Sequence, residues 1–97
     1  MRNWKKLSQG YTLSTQVQSP DKMLYAGPVY AVSSWNETGP FDVLPYHIHF
    51  ISIIRKAIIL HKADGSEEKI PLDTGIIKVA DNVINIYIGI SFLHLKQ

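Results

Sequence analysis

Asp64-Gly65, set between the runs Ile58 to Lys62 and Glu67 to Leu72, constrains this chain more than any other pair of residues. A tight hairpin turn needs positive φ at positions that Asp and Gly tolerate, so the two runs are expected to be antiparallel neighbours. The same pattern of apolar alternation between breakers recurs along the chain. Leu13, Thr15 and Val17 alternate with Thr12, Ser14, Gln16 and Gln18, the period of a half-buried strand, and Pro20-Asp21-Lys22 turns that run. Met23 to Ala26 reads as a second strand ended by Gly27-Pro28. Val29 to Trp35, rich in β-branched and aromatic residues, reads as a third. Asn36-Glu37-Thr38-Gly39 is a loop by composition.

Gly39-Pro40 punctuates the next stretch, where Phe41, Val43 and Leu44 supply a short apolar segment, and Pro45 sits where one strand must be left for another. Ile48 to Ile54 reads as strand, and Ala57 to His61 as strand again beyond a polar Arg55-Lys56 junction. Gly75 opens Ile76 to Ala80, and Asp81-Asn82 turns the chain into its longest regular run. There Ile84, Ile86, Ile88, Ile90 and Phe92 face one way and Asn85, Tyr87, Gly89, Ser91 and Leu93 the other. No window of eleven or more residues shows helical spacing behind a cap. About nine to ten short strands with close, regular turn signals predict an all-β fold, an antiparallel β-sandwich of two sheets or a flattened barrel. One domain is expected over residues 11–97, with residues 1–10 as an N-terminal extension that frays.

Composition narrows the function classes. With 97 residues the chain can bury one core, and 45% hydrophobic content places it among globular rather than disordered chains. It has no cysteine, so neither disulfides nor thiolate metal sites contribute. Ten Lys and Arg against eight Asp and Glu leave too little positive charge to argue for nucleic acid. Arg2, Lys5 and Lys6 are followed by no apolar stretch of the kind a signal peptide carries, and no run reaches the ~20 apolar residues of a membrane-spanning helix.

His47 and His49 fall on one side of a strand, with His61 and His94 elsewhere. Such a His-x-His pair begins the ligand set of metal-binding cupins, but Ile51, Ser52, Ile53 and Ile54 follow where a Glu and another His are needed. The histidines are therefore read as structural or interfacial, with no metal and no cofactor. No serine sits in a Gly-x-Ser-x-Gly turn and no glycine-rich phosphate loop exists. Asp21 and Asp42 are read as turn-capping carboxylates rather than a catalytic pair. Asn36-Glu37-Thr38 matches a glycosylation acceptor, read as coincidence with no signal peptide ahead of it. The expectation is a chain that is not an enzyme.

Several segments carry a resemblance. A small-residue loop, Phe41 and then Val43-Leu44-Pro45-Tyr46-His47 resemble the signature of the N-terminal β-sandwich domain of the F-type ATP synthase epsilon subunit. Thr12-Leu13 through Val17 to Lys22 looks like that family's opening strand and Ser/Thr-Pro-Asp/Glu-Lys turn. Leu24 to Val29 is similar to its aromatic-x-Gly-x-Val segment. Ile70 to Ile76 with Asp73-Thr74-Gly75, and Asn82 to Ile86, resemble its later strands. The departures are Ile48-His49 in place of Ala-Pro, Arg55-Lys56 in place of Pro-Gly, and Ser34-Trp35-Asn36 before the signature. About nine residues after the last strand are too few for the family's C-terminal helical hairpin.

The resemblance implies a non-catalytic rotor subunit, peripheral on the cytoplasmic side of an energy-transducing membrane. It would dock on the gamma subunit and the c-ring and couple proton transport to ATP synthesis without inhibitory helices. The contact positions it implies are Trp35, Asn36, Glu37, Thr38, Gly39, Pro40, Phe41 and His47 on the ring side, with Ser19 and Asp21 as a weaker addition. Trp35, Phe41 and Tyr46 are expected to cluster around this loop. Trp35 is read as a binding anchor, since aromatics concentrate binding energy, and Phe41 as a plug for the end of the sandwich. Two alternatives stay open: a small metal- or ligand-binding sandwich of the cupin kind, and a sandwich that self-associates through unpaired strand edges.

Overall fold

A computed structural model describes residues 2–46 and 49–89. One helical turn, α1 (Trp4–Leu7), precedes six strands: β1 (Leu13–Gln18), β2 (Met23–Asn36), β3 (Gly39–Val43), β4 (Phe50–Lys62), β5 (Glu67–Ala80) and β6 (Val83–Ile88). They form one sheet in the order β1-β6-β5-β4-β2-β3, and β1 also pairs with β2, so five strands close on themselves and β3 is left as an extra strand. Val29 of β2 pairs with Leu13 on one side and Lys62 on the other. Val32 likewise pairs with Val43 and Leu60. Thus β1 and β3 share one edge of β2 in succession, and β4 takes the other.

The all-β expectation holds, but in place of nine or ten short strands in two sheets the described residues form six strands in one sheet, five of them closed into a barrel. The antiparallel pattern also has an exception, because β1 and β6 run parallel. Three residue clusters that read as breaks, at Gly27-Pro28, Arg55-Lys56 and Asp73-Gly75, lie inside continuous strands instead. Gly27 and Pro28 sit within β2 and pair with Thr15 and Ser14 of β1. Arg55-Lys56 is a bulge: the register between β4 and β5 slips between Ile54 and Lys56, and Lys56 takes φ 74°. Such an extra residue bends the strand and increases its twist, which lets β4 line two walls of the closed sheet. Asp73-Thr74-Gly75 is likewise interior to β5.

The period-2 readings are where the sequence is most faithful. Leu13, Thr15 and Val17 of β1 and Ile84, Ile86 and Ile88 of β6 point into the core, which they share with Val29, Val32, Ile54, Ile58, Leu60 and Ile77. Each large aliphatic side chain so buried contributes about 1.5–3 kcal/mol.

Two turns exchange roles. The hairpin at Asp64-Gly65 exists, but only Gly65 has positive φ, at 89°. The Gly65 amide bonds the Lys62 carbonyl at 3.0 Å and the Lys62 amide bonds the Ser66 carbonyl at 2.9 Å, the pattern of a turn closed by a glycine bulge. The primed two-residue turn is Asp81-Asn82, with φ 51° and 62°, joining Ala80 to Val83. Asn and Asp tolerate that region better than other residues with a Cβ.

Candidate interaction surface

Residues in the first half of β4 alternate, with Ile54 in the core and Ile51 and Ile53 outside, 68% and 59% exposed. The sheet register carries that outer face sideways. Ile53 stands opposite Ile76 of β5, and Ile76 opposite Tyr87 of β6. One step along, Ile51 stands opposite Lys78, and Lys78 opposite Asn85. Ile51, Ile53, Ile76 and Tyr87 therefore form an apolar stripe on a rigid sheet, edged by Lys78, Asn85 and Arg55. Burying such a stripe against a partner is favourable in proportion to the apolar area covered. The apolar run Ile48 to Ile54 held the clue, since it has isoleucine on both faces where a solvated strand alternates.

Beside the stripe, the tip of the β2–β3 hairpin overhangs a groove of about 670 Å³ lined by Asn36, Glu37, Thr38, Ile53, Arg55 and Asp73 among others. The hairpin is tighter than the loop expected, because Gly39 already lies in β3. The Asn36 Oδ1 accepts from the Thr38 amide at 2.9 Å and the Thr38 hydroxyl at 2.6 Å, and its Nδ2 donates to Ser52 Oγ at 3.3 Å, tying the tip to β4. Glu37, Thr38 and Pro40 are exposed. Trp35 is half-buried, with Lys56 Nζ 6.0 Å from its ring centre.

The aromatic cluster expected around this loop is not formed. Phe41 packs on the core and meets Phe50 edge to face at 5.7 Å, whereas Tyr46 meets Tyr11 at 4.9 Å and donates its backbone amide to Asn82 Oδ1. Trp35 joins neither pair. Nor do the two groups of predicted contact residues meet. Ser19 and Asp21 belong to the turn before β2, at the opposite end of that fourteen-residue strand from Trp35. His47 lies outside the described residues, as do Ile90, Phe92 and His94. His49 is exposed, its Nε2 3.4 Å from Asp81 and accepting the Asp81 amide at 3.2 Å. Among the described residues no three His, Asp or Glu side chains gather as a metal would need.

Tertiary structure also assembles a polar chain that sequence spacing hides, because its members come from four strands. His61 of β4 is 6% exposed. Its Nε2 is 2.8 Å from Ser33 Oγ and its Nδ1 3.3 Å from Glu67 Oε2, while the Ser33 hydroxyl donates to Asp42 Oδ1 at 2.6 Å. Arg2 pairs with the other Asp42 oxygen. Ser33, His61 and Glu67 have the order of a hydrolytic triad, but the one hydroxyl proton goes to Asp42 and is not shared with the imidazole. Trp4 lies flat over the ring at 4.0 Å. Burial lowers the His61 pKa below the ordinary 6.5, against the opposing pull of Glu67 and Asp42.

Among the described residues no helix is long and apolar enough to cross a membrane. Residues 12–89 match the family model for the ATP synthase delta/epsilon chain, β-sandwich domain. The chain is similar to the ATP synthase epsilon chain of Nitratiruptor sp. (31% identity over 73% of this chain and 56% of the relative) and of Bordetella petrii (33% over 77% and 54%). It thus spans about half the length of these curated relatives. Its fold resembles a chain in the Euglena gracilis mitochondrial ATP synthase, with TM-score 0.73 at 17% identity, over 88% of this chain and 59% of that one. A chain in the Tetrahymena thermophila central stalk and c-ring gives TM-score 0.66 at 9% identity, over 80% and 63%.

Proposed function

Since this chain belongs to the delta/epsilon β-sandwich family of the ATP synthase, we propose that it is a non-catalytic subunit of the rotor, packed on the gamma subunit and resting on the c-ring so that ring rotation reaches the catalytic head. The observation that carries this reading is the apolar stripe of Ile51, Ile53, Ile76 and Tyr87 on the outer face of β4, β5 and β6. A closed sheet with long strands resists twisting, which a torque-bearing part needs, and an isoleucine stripe on it suits a permanent protein interface better than solvent. We assign the stripe to gamma and the hairpin tip, from Trp35 through Phe41, to the ring, with His47 as a further ring contact. Ser19 and Asp21, at the far end of β2, would meet a separate part of the complex.

Residues 11–97 act in this reading as one domain, with residues 1–10 as an extension, bound peripherally on the cytoplasmic side of the membrane through the complex. The names of the relatives, epsilon chains of ATP synthases, support the assignment. The test is a pull-down of the tagged chain from membranes of its own cells, with the recovered proteins identified by mass spectrometry. Gamma and c subunits are expected with the unaltered chain and a clear loss of gamma with Ile53→Asp. Recovery of the bait alone, under conditions that keep a control synthase whole, would overturn the rotor reading.

A further inference from the structure

The N-terminal residues ahead of the matched domain are docked on it, and they dock on a histidine. Asn3 caps α1 by accepting the Lys6 amide at 3.1 Å, which aims Trp4 at the sheet. The indole stacks on His61 with ring centres 4.0 Å apart and planes 21° from parallel, and Arg2 reaches Asp42. We propose that residues 2–7 are a latch that closes over His61 when its imidazole is neutral and opens when the imidazole takes up a proton.

The argument rests on which groups stay and which leave. Glu67 on β5, beside Nδ1, and Asp42 on β3, reached through Ser33, belong to the sheet and favour the imidazolium whether the latch is closed or open. Indeed the protonated ring satisfies the whole chain, with Nδ1–H toward Glu67 and Nε2–H toward Ser33, whose own proton serves Asp42. What closing adds is the removal of water from the ring and a guanidinium near it, and both disfavour the imidazolium. The remaining charged or titratable groups around this hollow are Lys5 on α1, Tyr30 on β2, Lys62 on β4 and Asp64 in the hairpin. Lys62 is paired with Glu68 at 2.6 Å and Asp64 accepts from Ser66, so these two are engaged elsewhere. The indole's attraction for a cation acts the other way, but Arg2, 5.2 Å from the same ring centre, already draws on it. Burial as the leading influence on His61, with Arg2 acting in the same direction, agrees with this sign. Because linkage is reciprocal, a proton that closure disfavours must itself disfavour closure.

The experiment is an NMR titration of the whole chain from about pH 8 to about pH 4.5, which brackets the histidine range, following the His61 ring protons and the Trp4 indole. The indole signal is expected to leave its docked position with the same midpoint as His61. Trp4→Ala is expected to raise the His61 midpoint by about half a unit or more, a threefold change in proton affinity, and Arg2→Gln to raise it less. In His61→Phe the indole is expected to stay docked across the range. An indole that does not move while His61 titrates, or a His61 midpoint unchanged or lowered by Trp4→Ala, would overturn the latch. Neither readout requires gamma or the ring, so the outcome is independent of the rotor assignment.

Discussion

Gly75 lies so close to Tyr87 that a Cβ on the glycine would sit 2.8 Å from the Tyr87 carbonyl oxygen and 3.3 Å from Ile88 Cγ2. The contact falls where β5 passes between β4 and β6, with Gly75 opposite Ile54 on one side and Ile88 on the other. A backbone oxygen held in a ladder cannot step aside as the end of a side chain can. Gly75→Ala should therefore destabilise by about 2 kcal/mol, the usual cost of overpacking. Urea denaturation measures it, and a loss below about 0.5 kcal/mol would mean that β5 and β6 separate more easily than their register implies.

Lys56 carries the opposite liability, a side chain at φ 74° in the bulge of β4. Relieving a left-handed residue gains about 1 kcal/mol, and losing the ammonium near Trp35 gives back about 0.5 kcal/mol at an exposed site. Lys56→Gly should be modestly more stable in thermal melts. A lower melting temperature would show that the lysine's contacts outweigh the strain.

Ile53 and Ile77 separate interface from core. Ile53→Asp changes an exposed residue and should alter stability by no more than about 0.5 kcal/mol while removing gamma from the pull-down. Ile77→Ala empties a fully buried site and should cost about 2–5 kcal/mol. Trp35→Ala, at a half-buried position, is expected to weaken ring binding with a small shift in melting temperature. A large loss of stability would make Trp35 a core residue instead.

Stability should also depend on pH through His61. Its pKa is lower in the folded chain than the 6.5 of a free side chain, because burial disfavours the charged ring. Between those two values the unfolded chain binds more protons, so stability rises with pH across that window and is lost as pH falls below about 6.5. Above it, His61 contributes no slope. Chemical denaturation at a series of pH values should show this drop in the unaltered chain and a smaller one in His61→Gln. Equal slopes in the two would place the titrating group elsewhere.

The elements that were legible from residues alone are those governed by local rules. Alternation in β1 and β6 identified Leu13, Val17, Ile84 and Ile86 as core, because side chains on a strand alternate faces whatever the strand pairs with. The signals at Gly27-Pro28, Arg55-Lys56 and Asp73-Gly75 were equally local, but their meaning was not. A glycine, proline or polar pair permits a bend, and whether the chain then turns back or runs on through a bulge depends on which strand lies beside it. Thus what read as several strands became β2, β4 and β5.

Composition and period therefore determined that this chain is all-β and where its core residues lie, while the family resemblance rests on the motifs of its segments. Closure of the sheet, the parallel pairing of β1 with β6, the outward stripe of Ile51, Ile53, Ile76 and Tyr87, and the stacking of Trp4 on His61 beside Glu67 were decided only in three dimensions. Each depends on register between strands far apart in sequence, and a register is chosen by the sum of all side-chain pairings at once rather than by any one stretch.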